Sequence, residues 1–176
     1  RINENNLQEQ EELSFEAFKS IIINDYKIAF ESRQASLLGR KEVLTGKAKF
    51  GIFGDGKELP QLAMAKVFKD GDFRSGYYRD QTFMFSSGMA SPEHFFAQLY
   101  AIPDTVMEPN SGGRQMNGHF ATRLLDNNGN WTDQTATKNT SSDTSPTASQ
   151  MIRAVGLALA SKLYRQNPET DSRGFS

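Results

Sequence analysis

The apolar positions of the chain fall into blocks separated by glycine, proline and polar stretches. In the polar lead of residues 1–12, Ile2 and Leu7 stand among Asn, Gln and Glu, which predicts a loosely ordered arm. From Ser14 the pattern changes. Phe15, Phe18, Ile22, Tyr26 and Phe30 recur at spacings of three and four, the signature of one helical stripe. Ser14 suits the cap, and Glu16 sits in the first turn, where the helix dipole favours a negative charge. The helix is predicted to run to about Leu38, with Gly39 and Gly46 as two possible stops.

A glycine loop, Gly51 to Gly56, precedes a short helix predicted over about Leu59 to Phe68. Pro60 lies in its first turn, where a missing N–H costs little. Asp70-Gly71-Asp72 reads as a turn, and Phe73 to Asp80 as either a strand or an extended loop. Ser91-Pro92-Glu93 is a strong helix start, with Phe95, Phe96, Leu99 and Tyr100 as the buried side and Pro103 as the stop. His94, in the first turn, is expected at the solvated surface. Residues 109–147 are rich in Asn, Gly and Thr and poor in aliphatics, which predicts a long loop region. A last helix is predicted from Gln150 to about Tyr164. Its small residues Ala154, Gly156, Ala158, Ala160 and Ser161 would let its backbone approach a neighbour closely.

Composition narrows the function classes. With 176 residues, 37% hydrophobic and 13 Phe, the chain fits one domain with a real core. Lys and Arg number 20 against 21 Asp and Glu, so no electrostatic footprint points to nucleic acid or an anionic membrane. The absence of Cys excludes disulfides, thiol catalysis and zinc-thiolate sites, and fits a reducing, cytoplasmic compartment. No apolar run approaches the roughly 18 residues of a membrane span, and no signal peptide is evident. The chain opens on Arg1 rather than Met, which reads as a piece of a longer protein.

Several segments carry candidate chemistry. Gly51-Ile52-Phe53-Gly54-Asp55-Gly56-Lys57 has the start of a phosphate-binding loop, but Glu58 follows where a hydroxyl would hold Mg²⁺. Gly54-Asp55-Gly56 has the form of a metal-site tripeptide, yet no Asn follows until Asn110, so an ordinary glycine turn is the better reading. Tyr78 and Arg79 offer a phenol and a guanidinium side by side, suited to phosphate oxygens or to a plain salt bridge with Asp80. Thr144-Ser145-Pro146-Thr147-Ala148-Ser149-Gln150 sets hydroxyls and carbonyls around a turn into a helix. That turn suits an anion, a cation held by oxygens, or simply a helix cap. His119 sits in a glycine-rich loop, as a proton donor or a partner for a substrate carboxylate.

These segments follow one order: Gly56-Lys57-Glu58, Tyr78-Arg79-Asp80, His94-Phe95-Phe96-Ala97-Gln98, Gly113-Arg114-Gln115-Met116 with His119, Ser145 to Gln150, then Ala154-Val155-Gly156-Leu157-Ala158. The series resembles the alpha-type half of the thiamine diphosphate-dependent first component of 2-oxo acid dehydrogenase complexes, over about Ser14 to Tyr164. The Gly-Arg-Gln-Met…His stretch is most similar to branched-chain (2-oxoisovalerate) members. Pyruvate and acetoin dehydrogenases of the same superfamily are the alternative, and a non-catalytic helical interaction module is the alternative from another class.

The resemblance implies an α/β, transketolase-like fold of which this segment is helix-rich and stops before most of the parallel sheet. Residues 13–176 would then be the N-terminal part of a single cofactor-binding domain. It implies that Tyr78, Arg79 and Ser145 contact thiamine diphosphate, that Thr144, Pro146, Ser149 and Gln150 hold potassium, and that His119 serves catalysis near the substrate entrance. The implied activity is decarboxylation of a 2-oxo acid with acyl transfer to the lipoyl domain of an acyltransferase component. The implied partner is a beta-type half, within an oligomer, and the Mg²⁺ ligands are expected beyond this chain. The segment alone is therefore expected to be inactive and to bind the cofactor weakly. Two departures from the family pattern stand out: Tyr77 where a Gln often precedes the Tyr-Arg pair, and Thr147 where a Leu packs on the cofactor. The stretch from Ala121 to Asp143 is also longer than usual, with Trp131 as its large aromatic residue.

Overall fold

The computed structural model describes residues 13–167. In chain order the elements are α1 (Phe15–Leu44), α2 (Glu58–Val67), β1 (Phe73–Tyr77), α3 (Gln81–Ser87), α4 (Pro92–Leu99), β2 (Asn139–Thr144) and α5 (Ser149–Gln166). The fold is helix-rich α/β, with β1 and β2 paired in parallel as a two-stranded sheet. The arm expected at residues 1–12 lies outside the described residues. No helix among the described residues is long and apolar enough to cross a membrane.

The Ser14 hydroxyl caps α1 by accepting the Ala17 N–H at 3.2 Å. The helix passes the predicted stop at Leu38 and ends at Leu44, with Gly46 just beyond its cap. Gly39 lies inside it, at a place where a side chain would collide with Phe53, whose ring lies 2.4 Å from the position of a Cβ. The buried face of α1 is Ser32, Ala35, Ser36, Gly39 and Glu42, and the aromatic stripe faces solvent, with Phe15 73% and Tyr26 68% exposed. Small polar residues face inward because α3 packs close against them. Gln81 Nε2 donates to the Ser32 carbonyl and the Ser36 hydroxyl, each at 2.9 Å, and the Ser32 and Thr82 hydroxyls share a 2.7 Å bond.

Helix α3 is absent from the sequence-based prediction, yet it carries the centre of the core. Phe83 and Met84 cluster with Ala65, Ala90 and Phe120, flanked by Phe68, Phe85 and Met89. Each large side chain buried there contributes about 1.5–3 kcal/mol. Seven residues give too little length for a period to register.

Helix α4 begins as predicted, with Ser91 as its cap. His94 is not a free surface residue. Its Nδ1 accepts the Ser91 N–H at 3.3 Å while its own N–H reaches the Ser91 hydroxyl, closing a reciprocal cap. Phe95 and Leu99 are buried as expected, whereas Tyr100 is 42% exposed and donates to Glu42 at 2.8 Å.

The expectation of an unbroken loop over 109–147 is corrected by β2. Its sequence Asn-Thr-Ser-Ser-Asp-Thr has no apolar alternation to reveal a strand. The strand is held instead by its ladder to β1 and by Asn139, whose Nδ2 donates to the carbonyls of Gln134 and Thr137, each at 2.7 Å. Within the longer Ala121–Asp143 stretch, Leu125 and Trp131 form an antiparallel bridge around a turn centred on Asp126. On α5 no described residue is buried, and a Cβ on Gly156 would meet nothing within 4 Å. The close approach expected from its small residues is therefore not made at that glycine.

Candidate functional site

Because β1 and β2 run parallel, the turns that follow both strands emerge at one edge of the sheet. Ligands in α/β folds bind at such carboxyl ends. The turn after β1 carries Tyr78, Arg79 and Asp80, and the turn after β2 carries Ser145 to Ala148.

A buried arginine ties the turn after β1 to strand β2. Arg74, 7% exposed, donates to Asp80 at 2.8 Å, to Asp143 at 3.2 Å and to the Thr140 hydroxyl at 2.7 Å. Asp80 also accepts the Tyr77 N–H at 2.8 Å, and Asp143 the Phe120 N–H at 3.1 Å. Burial pushes the Asp143 carboxyl above its ordinary pKa, against the pull of the Arg74 charge. Asp80 pairs with Arg74, and no ion pair between Asp80 and Arg79 is formed among the described residues.

Two glycines let neighbouring loops close on the Tyr78-Arg79 backbone. A Cβ on Gly54 would lie 2.3 Å from the Arg79 carbonyl oxygen, and one on Gly118 would lie 2.3 Å from that of Tyr78. Gly118 also has φ +77°, a conformation that favours glycine. Gln61 adds a bond from its Nε2 to the Arg79 carbonyl at 2.9 Å. The Arg79 guanidinium lies 5.5 Å from the centre of the Tyr78 ring, and its Nε is buried with no hydrogen-bond partner among the described residues.

His119 completes the cluster. Gln98 holds its backbone from both sides, donating to the His119 carbonyl at 2.7 Å and accepting its N–H at 3.2 Å. The imidazole stacks on Tyr78 with centroids 5.8 Å apart and planes 20° from parallel. Its Nδ1 faces the carbonyls of Met116 and Asn117 at 3.1 and 3.3 Å. Carbonyls only accept, so the ring proton belongs on Nδ1. Nε2 is then left as an acceptor for the Ser145 hydroxyl, 2.8 Å away. The loop before His119 is stiffened by Glu108, which is fully buried and accepts the N–H groups of Asn110, Ser111 and Gly113 at 2.9, 2.8 and 2.9 Å. Burial acts to raise the Glu108 pKa, but these bonds and the Ser111 hydroxyl outweigh it and hold the carboxyl below its ordinary value.

The turn from Thr144 to Gln150 gathers oxygens. The hydroxyls of Thr144 and Ser149 meet, and Ser149 also donates to the Pro146 carbonyl at 2.8 Å. Ser75 anchors the turn by donating to the Gln150 carbonyl at 2.7 Å, and Gln150 Oε1 is buried with no donor among the described residues. A buried amide oxygen without a donor is a fitting ligand for a hard cation.

The glycine loop at residues 51–57 has a structural part. Asp55 pairs with Arg40 at 2.5 Å, Glu58 with Arg33 at 3.1 Å, and the Gly56 N–H is taken by the Glu58 carboxylate at 3.0 Å. These bonds fasten the loop to α1 and leave that N–H unavailable to a phosphate. No group of three or more His, Cys, Asp or Glu among the described residues is placed to hold a metal.

The structure therefore brings Tyr78, Arg79, His119 and Ser145 together, with Thr144, Pro146, Ser149 and Gln150 in the adjoining turn. Sequence reasoning missed the supports: Arg74, Asp143, Gln61 and Gln98. Their one signal was polar residue type inside otherwise apolar or turn-forming segments.

No family model matches the chain. Among curated proteins it is similar to the 2-oxoisovalerate dehydrogenase subunit alpha of Bacillus subtilis (strain 168), with 29% identity over 124 residues. That likeness covers 70% of this chain and 32% of the relative, so the chain matches about a third of that protein's length. It agrees with the alpha-type resemblance carried by the ordered motifs.

Proposed function

We propose that this chain is the N-terminal part of a thiamine diphosphate-binding domain in the alpha-type half of a 2-oxo acid dehydrogenase, of branched-chain (2-oxoisovalerate) type. The observation that carries the reading is Arg79, whose buried Nε, near the ring of Tyr78, has no acceptor among the described residues. A buried guanidinium N–H without a partner is costly, and a phosphate oxygen satisfies it with a charge-assisted bond. Arg79 and Tyr78 would hold the diphosphate side of the cofactor, with Ser145 as a further contact. Thr144, Pro146, Ser149 and Gln150 would hold potassium and so fix the turn that presents Ser145.

When bound, thiamine diphosphate supplies the nucleophile and the electron sink for decarboxylation of a 2-oxo acid. This chain's own groups bind, orient and move protons. Nε2 of His119, an acceptor in the Nδ1–H tautomer, would take or return a proton near the substrate, with Ser145 as its resting partner. The packing of Gly54 and Gly118 on the Tyr78-Arg79 backbone fixes the direction of both side chains. In this reading the Mg²⁺ ligands, the beta-type half and the lipoyl domain of an acyltransferase component complete a cytoplasmic, oligomeric enzyme.

The test is calorimetric titration of the full-length protein, assembled with its beta-type half, using thiamine diphosphate and Mg²⁺. Arg79→Ala should weaken binding by about tenfold to a hundredfold. Unchanged affinity would overturn the reading. Turnover of 2-oxoisovalerate against pyruvate by the same assembly separates the branched-chain type from the pyruvate type.

A further inference from the structure

Two residues outside the proposed cofactor contacts converge on Tyr78. The Tyr77 phenol donates to the Tyr78 phenol at 2.6 Å, and the Thr147 hydroxyl lies 3.4 Å from the Tyr77 oxygen. The two tyrosine rings are 4.0 Å apart, so the hydroxyls meet through side-by-side rings of consecutive residues. Thr147 belongs to the turn after β2, so this contact joins that turn to the end of β1.

Proton counting gives the contact a direction. A phenol has one proton, and that of Tyr77 is committed to Tyr78. Thr147 can therefore only donate to Tyr77. Tyr78, having accepted a proton bond, keeps its own proton, and no acceptor for it is present among the described residues. The three hydroxyls form a chain that begins at Thr147, passes Tyr77 and ends in one unspent donor at Tyr78. Bonds in such a chain polarise one another, which strengthens the terminal donor. The stack of Tyr78 on His119 and the Arg79 guanidinium near its ring fix where that donor stands.

We propose that Tyr77 and Thr147 are positioning residues that make Tyr78 an obligate hydrogen-bond donor, selecting an anionic, acceptor-only ligand group such as a diphosphate. The inference rests on the reading of Tyr78 and Arg79 as diphosphate contacts.

The test is a double-mutant cycle on the full-length protein assembled with its beta-type half. Thiamine diphosphate affinity is measured by calorimetry, and inorganic pyrophosphate serves as a competing probe of the anion end alone. Tyr77→Phe and Thr147→Val should each weaken binding of both probes by roughly threefold to tenfold. Thr147→Ser, which keeps the hydroxyl, should bind as the parent does. In a Tyr78→Phe background, neither Tyr77→Phe nor Thr147→Val should weaken binding further, a coupling that a merely structural role would not produce. If Tyr78→Phe weakens binding but Tyr77→Phe and Thr147→Val do not, the relay is refuted and the cofactor reading stands. If Tyr78→Phe and Arg79→Ala both bind as the parent does, the cofactor reading falls and the relay with it. Thr147 is exposed, so Thr147→Val against Thr147→Ser remains decisive should Tyr77→Phe fail to fold.

Discussion

Nε2 of His119 stands 2.8 Å from the hydroxyl of Ser145, across 26 residues of chain. With Nδ1 facing two carbonyls, the bond has one direction, Ser145 donating. The neutral imidazole is therefore expected as the Nδ1–H tautomer, observable in the ¹⁵N shifts of the ring. Ser145→Ala should leave the tautomer unchanged, because the carbonyls of Met116 and Asn117 fix it. A predominant Nε2–H form in the parent protein would contradict this assignment.

Gly54→Ala and Gly118→Ala should each destabilise the protein by about 2–4 kcal/mol, from overpacking against a backbone carbonyl. Gly118→Ala should be the worse of the two, because its positive φ adds strain to the same 2.3 Å clash. Denaturant melts of the two variants give both the size and the order. A neutral Gly118→Ala would mean that the Tyr78 carbonyl is free to move.

Arg74→Met should cost about 3–5 kcal/mol, because it leaves the Asp143 carboxyl buried without its counter-charge. The loss should shrink as the pH is lowered. Asp143 already has a raised pKa in the folded state, so its ionisation opposes folding as pH rises through that value, and protonation relieves the variant. Thermal melts across the acid range check both the loss and its direction.

Glu108 has the opposite sign. Its folded pKa is lowered, so its contribution is complete above the ordinary glutamate pKa and disappears as pH falls through the folded value. Glu108→Gln should therefore lower stability at neutral pH and flatten the acid limb of the stability profile between those two values. A variant whose acid limb matched that of the parent would count against the role given to this carboxylate.

Potassium should raise the melting temperature of the assembled enzyme relative to tetramethylammonium at equal ionic strength. Gln150→Leu should abolish the difference. A potassium effect that survives in Gln150→Leu would place the cation elsewhere.

The elements that sequence revealed were those with a local cause. Ser14 and Ser91 cap the helices that they were expected to cap, because a cap is decided within four residues. The order of motifs named the site's parts, but not what holds them. Helix α3 was too short to show a period, and β2 had no apolar residue to alternate, so both went unseen. Arg74 carried no local signal, because one of its carboxylates lies 69 residues along the chain and the other in the following turn. Tyr77 and Thr147 were each noted as a departure from the family pattern. Only the fold shows that they touch. The aromatic stripe of α1 shows the reverse failure: its period was right, and its apolar side faces outward among the described residues.

The parallel pairing of β1 with β2 also governs when the site can exist. Arg74 bonds to Thr140 across 66 residues, and that closure must be completed before the pairing returns any free energy. Tyr78 and Arg79 emerge from the ribosome long before Asp143 and Ser145, so they wait without the groups that orient them. The ligand-holding surface is therefore complete only once the turn after β2 reaches back to Tyr77.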